Sequence, residues 1–154
     1  ATFATKGWGK IINTLAQTDI GTQIKLQFGI SKEITTFYSP FEAFTLSFLL
    51  NWGTACFLGL ALLLINLKFN RRIGLVTAGI ILFFDLLVTN VLSPAFYYFS
   101  PISLSRLSVL DPMGVSLFPT VTYPFIFFSV SFIVFSALLV VSIKKISVDI
   151  TAEL

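Results

Sequence analysis

The 154-residue sequence contains no histidine and one cysteine, Cys56, which lies within an apolar run. The lack of histidine excludes Cys/His zinc sites and Cys–His or Ser–His nucleophile pairs within this chain, and one cysteine cannot form an internal disulfide. A GxxxxGK[ST] phosphate loop and a metal-ligand spacing are also missing from the sequence. We therefore predict no catalytic, cofactor-binding or metal-binding residues here, and no enzyme activity.

Charge is scarce as well. Only 11% of the residues are charged, against about 25% in a typical globular domain. Hydrophobic residues make up 56% of the sequence, 18 residues are phenylalanine, and the mean hydropathy is +0.93. So few charges would not cover the apolar surface of a water-soluble domain of this size, so the lipid bilayer is the predicted environment. The net charge of +3 forms no basic stripe, and nucleic acid is not an expected partner.

Three apolar segments are long enough to span a bilayer, which takes about 20 residues. They cover residues 43–67, 73–92 and 123–143, and the second contains one charged residue, Asp85. A lone span in lipid satisfies its backbone amides only as a helix. The sequence therefore predicts an all-α, multi-pass protein of the cell membrane, with a transmembrane domain over residues 43–149.

Five basic residues flank these spans: Lys68, Arg71, Arg72, Lys144 and Lys145. The first three lie between spans one and two, and the last two follow span three, so both groups belong on one side of the membrane. The positive-inside rule makes that side cytoplasmic, together with the tail 150–154. Residues 1–42 and 93–122 then face outward.

An outward-facing start without a signal sequence leads us to expect that further spans precede Ala1 and that the chain is a piece of a longer protein. Within the segment 1–42, apolar side chains at helical spacing over residues 6–20 predict a short amphipathic helix. Trp8 would anchor that helix at the membrane interface. A loop with a short helix packed on neighbouring spans is the alternative.

The segment 93–122 carries most of the prolines, which end helices. Leu104, Leu107 and Leu110 recur at spacings of three after Ser100, a favourable helix N-cap, and a second element broken by Gly114 follows. This pattern predicts two short helices that enter the outer leaflet without crossing it. The alternative is a surface loop with an aromatic anchor. The residues of interest in this segment are Phe96, Tyr97, Tyr98, Phe99, Arg106 and Asp111.

Three polar residues within the spans are candidates for a pathway or for buried contacts. Asp85 would lie about 18 Å from the cytoplasmic start of its helix, past the bilayer midplane. An ionisable group at such a position is either functional or held by a partner, for which a hydroxyl, Asn90 or Arg106 is available. Asn51 and Asn66 are predicted to bond to neighbouring helices, and span glycines permit close packing.

The order of these elements resembles a known family. One span, a short basic turn, a second span, a broken segment and a final span with a lysine-bearing tail resemble the C-terminal half of permease subunits of type-2 ABC exporters. The permeases of bacteriocin or lantibiotic export and immunity are the most similar. The stretches that carry the resemblance are "NLKFNRRIGLVTAGIILFFDLL", "LSPAFYYFSPISLSRLSVLDP" and "FSALLVVSIKKISVDI".

The resemblance implies a six-span permease whose first three spans are absent from this sequence. It also implies a separate cytoplasmic ABC ATPase that binds ATP, a second copy or homologous permease, and outward movement of an amphipathic peptide or lipid-like substrate. The alternative is a small non-transporting membrane protein that acts as an immunity or assembly factor.

Overall fold

The computed structural model describes residues 7–10, 12, 14, 32–69 and 71–152. Across these residues the chain is helical and forms no strand, and three helices are long and apolar enough to cross a membrane. This confirms the predicted all-α membrane fold. Most of the predicted amphipathic helix over residues 6–20 lies outside the described residues. Trp8 is described, and its indole Nε1 donates to the carbonyl oxygen of Tyr38 at 2.7 Å.

Helix α1 spans Lys32–Phe37, and α2 spans Pro40–Lys68. A capping box starts α2: the Ser39 hydroxyl accepts from the Glu42 backbone amide, while the Glu42 carboxylate accepts from the Ser39 amide at 2.8 Å. Proline follows at the first helical position, where its missing N–H costs nothing. The sequence therefore places the helix start slightly before the predicted apolar span 43–67.

Helix α3 spans Arg71–Asn90, and α4 spans Thr122–Ala152. The apolar part of α4 is Thr122–Lys144, close to the predicted span 123–143. The helix itself continues for two further turns, so Lys145 and most of the predicted tail 150–154 are helical. Hydropathy locates where the apolar part of a helix ends, and the polar turns beyond it are not visible to that criterion.

The three long helices pack side by side, with α2 and α4 running in the same direction. Gly53 of α2 lies against the Phe128 ring of α4, and the Phe57 and Phe135 rings are 5.3 Å apart one to two turns further on. Helix α3 returns in the opposite direction, and Gly74 near its start lies under the Asn66 side chain of α2. We call the end with the α2–α3 turn the basic end and the other the distal end.

Between α3 and α4, residues 91–121 form what we call the inserted segment. Three short 3₁₀-helices make up most of it, at Pro94–Phe99, Ser103–Ser105 and Leu107–Val109. Two short helices were predicted here, and the segment does consist largely of short helices, but they are of the 3₁₀ type. A leucine spacing of three matches the 3₁₀ repeat, and all three predicted leucines are indeed buried. The predicted second element is irregular, with Gly114 at φ 70°.

The buried core of the described residues lies at the distal end. It joins α2, the inserted segment and α4 through one set of side chains: Ala43, Leu50, Leu104, Leu107, Leu110 and Phe128. Elsewhere the long helices remain largely uncovered, and only 6% of the apolar stretch of α4 is buried within the chain. Those faces are available to lipid or to other helices.

The α2–α4 contact generates a prediction. A Cβ at position 53 would lie 2.8 Å from a Phe128 ring carbon, whereas a Cβ at position 59 of the same helix meets nothing within 4 Å. We expect Gly53→Val to lower the free energy of unfolding by about 1–3 kcal/mol, as overpacked cores do. Gly59→Val is the matched control and should change it by less than about 0.5 kcal/mol. Unfolding in mixed micelles measures both, and equal effects would contradict the packing.

Candidate functional site

The charged residue within the spans, Asp85, lies at the centre of a polar cluster. Its side chain is buried, and three groups of the inserted segment donate to its carboxylate. The hydroxyls of Ser100 and Ser103 donate to Oδ1 at 2.7 and 2.5 Å, and the Arg106 guanidinium donates to Oδ2 at 2.8 Å. These four residues are the Asp85 cluster.

The backbone of the inserted segment brings the three donors together. Ser100, Ser103 and Arg106 recur at every third position, which in 3₁₀-type turns places them on one side. The Ser100 hydroxyl also accepts from the Ser103 backbone amide at 3.2 Å, which fixes the first turn. The leucines that fill the core follow the same spacing in a different register. A polar and an apolar stripe of period three therefore run along one segment.

The cluster lies at membrane depth. Asp85 lies about 20 Å along α3 from Arg72 at a rise of about 1.5 Å per residue, within a hydrocarbon core of about 30 Å. On α2, the Thr54 hydroxyl lies at the same height and contacts the carbonyl oxygen of Pro101 at 3.1 Å. The inserted segment thus descends into the bundle to the level of these two residues.

Non-helical backbone at this depth is tolerated only where it is buried in protein or lines a water-filled cavity. Ser100, Pro101, Ser103 and Leu104 are all buried. Among the described residues, every buried side-chain polar atom has a hydrogen-bond partner. The Asp85 cluster and Thr54 supply the partners that lipid does not offer.

Arg106 connects the buried carboxylate to the surface of the bundle. Its side chain is 42% exposed while that of Asp85 is 5% exposed, and Nη1 reaches the Thr89 hydroxyl at 3.4 Å. Thr89 in turn donates to the Asp85 backbone carbonyl at 2.8 Å. The predicted partners of Asp85 were a hydroxyl, Asn90 or Arg106. Two hydroxyls and Arg106 contact its carboxylate, whereas the Asn90 amide donates to the Leu86 carbonyl of its own helix.

The two candidate asparagines of α2 lie apart from this cluster. Asn51 Nδ2 donates to the Ser47 carbonyl at 2.7 Å, a bond within its own helix and not the predicted bond to a neighbour. Asn66 packs over Gly74, where a larger residue would collide with its amide. It therefore marks the close approach of α2 and α3 at the basic end.

The predicted aromatic cluster divides into two pairs. The Tyr97 and Phe118 rings meet edge-on with their centres 5.3 Å apart, which joins the start of the inserted segment to its far end. The Tyr98 and Tyr123 rings meet edge-on at 4.9 Å, which joins the segment to α4. Phe96 and Phe99 are exposed, and Phe99 is 69% accessible. The outward pair is placed to contact lipid at the distal end.

Asp111 organises the irregular end of the inserted segment. Its carboxylate accepts from the backbone amides of Ser116 at 2.6 Å and Met113 at 2.8 Å. These bonds to the charged form, above all those from Ser116, hold the pKa of Asp111 well below its usual range. Because the lowered pKa favours the carboxylate, this turn keeps its stabilisation at neutral pH and loses it only as the pH falls through that lowered pKa.

The predicted basic residues all belong to the basic end. Lys68 is the last residue of α2, and its Nζ atom lies 5.9 Å from the centre of the Phe69 ring. Arg71 and Arg72 begin α3, and the side chain of Arg72 is exposed. Lys144 lies about 24 Å beyond Phe128 along α4, and Lys68 lies about 22 Å beyond Gly53 along α2, so the two lysines are at matching heights.

Comparison with protein-family models, curated proteins and solved structures gives no match to this chain. Among the described residues, no group of three His, Cys, Asp or Glu side chains is placed to hold a metal ion. The arrangement at Asp85 is a carboxylate held by two hydroxyls and a cation. Its evident chemical effect is to hold the inserted segment in place.

The sequence indicated Arg106 as a partner of Asp85, and Ser100 was predicted only as a helix cap. The parts of Ser103, Thr54 and Thr89 in these contacts were not predicted. The signal for the serines was present, because Ser100, Ser103 and Arg106 repeat at the same spacing as the leucines. Thr54 and Thr89 gave no comparable signal. Hydroxyls in membrane helices commonly bond to their own helix, as Thr54 also does with the Leu50 carbonyl.

The cluster predicts a contrast between two neighbouring serines. Ser103→Ala removes a buried hydrogen bond to a carboxylate and should lower the free energy of unfolding by about 1.5–3 kcal/mol. The matched control is Ser105→Ala, since that hydroxyl donates only to the nearby Ile102 carbonyl. We expect the control to cost about 1 kcal/mol or less. Detergent-titrated unfolding measures both variants, and an equal loss in the two would contradict the role of the cluster.

Proposed function

We propose that the chain is a membrane-spanning permease subunit, or the C-terminal part of one, of an ATP-driven exporter. The observation that carries this proposal is the order of elements: a span, a short basic turn, a second span, a segment folded back into the bundle, and a third span. This order supports the resemblance to type-2 ABC exporter permeases. The substrate class that follows is an amphipathic peptide or lipid-like molecule, moved outward.

In the proposed orientation, the basic end lies on the cytoplasmic side of the cell membrane, and the inserted segment lies in the outer leaflet. Lys68, Arg72 and Lys144 at one end support it through the positive-inside rule. The C-terminus is then cytoplasmic, and the ATPase subunit binds from that side. Movements that ATP hydrolysis drives in the ATPase are then transmitted from the basic end to the distal end by the long helices.

The uncovered helix faces support a partner in the membrane. The long helices bury few of their own apolar residues, so each offers a broad surface to lipid or to other spans. A second permease copy or a homologous permease would use part of that surface, as would preceding spans of a longer chain. The remainder contacts the lipid bilayer.

A second candidate function is a non-transporting immunity or assembly factor. The hydrogen bonding of Asp85 favours this candidate. Its carboxylate already accepts three hydrogen bonds, one of them from the cationic Arg106 side chain. Such a group is suited to holding structure more than to relaying protons. Under this candidate, the chain acts by binding a partner through its spans.

The two candidates are separated by purifying the chain from its native membrane under mild conditions. The exporter proposal predicts that an ABC ATPase copurifies and that its ATP hydrolysis depends on this chain. The double substitution Arg71→Gln and Arg72→Gln should weaken that association, whereas Phe99→Ala at the exposed distal face is the matched control. A clean preparation without an ATPase would overturn the exporter proposal and favour the accessory function.

A further inference from the structure

An open groove of about 1120 Å³ lies at the distal end, bounded by α1, α2, the end of α3 and the inserted segment. Its walls carry both polar and apolar groups. The lining includes Arg106 and Asn51, the acidic residues Glu33 and Asp111, and Phe37 as an aromatic wall. Neither the exporter proposal nor the Asp85 cluster assigns a role to this groove.

The height of the groove matches the boundary of the hydrocarbon core. At a rise of about 1.5 Å per residue, Asn51 lies about 26 Å from Lys68 along α2, and Thr89 lies about 26 Å from Arg72 along α3. Both are therefore near the far boundary of a core of about 30 Å. Groups at this level meet the glycerol and head-group region of one leaflet, so the groove is within reach of a lipid that stays in the bilayer.

The charges that line the groove are of both signs. Arg106 has five N–H groups, of which Asp85 and Thr89 engage two, and its side chain is 42% exposed. Arginine binds phosphate well because its planar donors match phosphate oxygens. Glu33 and Asp111 place carboxylates in the same groove, which suits a cationic group and repels an anionic lipid.

From these features we infer that the groove binds the head group of a zwitterionic phospholipid. The phosphate accepts from Arg106, with the Asn51 amide beside it, and the ammonium group lies toward Glu33. Phe37 lies on the same helix as Glu33 and forms a wall beside the head group. This inference does not depend on the exporter proposal, since a non-transporting protein would bind the same lipid.

The test uses the full chain, purified in detergent and stripped of lipid. Native mass spectrometry then follows binding of phosphatidylethanolamine and of phosphatidylglycerol with identical acyl chains. We expect phosphatidylethanolamine to bind about tenfold more tightly, a difference equivalent to one charge-assisted hydrogen bond. Equal binding, or tighter binding of the anionic lipid, would overturn the inference.

Variants locate the site on the groove. Glu33→Gln should bring the two affinities to within about twofold, because it removes the partner of the ammonium group while leaving the Asp85 cluster intact. Lys68→Gln, at the opposite end, is the matched control and should preserve the preference. Thermal unfolding checks that both variants are folded. A preference that survives Glu33→Gln, or one lost in Lys68→Gln, would overturn the assignment.

Two further ligands identify the source of the head group. Glycerophosphoethanolamine, which has the head group without acyl chains, should bind far more weakly than the lipid, and inorganic phosphate should not displace the lipid. Equal binding of the chain-free compound would overturn a membrane lipid as the occupant. A cationic amphipathic peptide that occupies the groove in preference to phosphatidylethanolamine would overturn it too.

Discussion

The Asp85 carboxylate is the constraint on which the distal half of this protein depends. A charge about 20 Å along a membrane helix is costly unless it is paired, and irregular backbone at the same depth is costly unless its polar groups are satisfied. In this protein the buried carboxylate and the polar groups of the inserted segment satisfy each other. Arg106 neutralises the carboxylate, the Ser100 and Ser103 hydroxyls donate hydrogen bonds to it, and the carboxylate in turn fixes the segment that carries these residues.

The helix arrangement at the distal end follows from that insertion, whereas the basic end is set by a direct contact between two helices. At the basic end, α2 and α3 approach closely because Gly74 has no side chain to meet Asn66. At the distal end the inserted segment reaches both helices, through Thr54 on α2 and Asp85 on α3. Its leucines join Leu50 and Phe128 in the core, and the groove remains open beside it. The distal core and the groove therefore both depend on the inserted segment.

The spans were predictable because long charge-free runs in lipid have one stable backbone form, the helix. The depth of Asp85 also predicted a partner in the following segment, and Arg106 was among the residues named. The local form of that segment was not predicted, because leucines at spacings of three fit an amphipathic α-helix as well as 3₁₀ turns. Choosing between them requires knowing that Ser100 and Ser103 share one acceptor, which is a tertiary fact.

Hydrogen–deuterium exchange in lipid nanodiscs tests whether the inserted segment is held inside the bundle. We expect peptides covering residues 99–110 to exchange at least about a hundredfold more slowly than peptides covering residues 112–118, because backbone that is both buried and hydrogen-bonded opens rarely, whereas residues 113–117 are exposed. The amides of Leu104 and Arg106 belong to the slow group, with bonds to the carbonyls of Ser100 and Ser103. Equal, fast exchange in both regions would contradict an inserted segment held inside the bundle by Asp85.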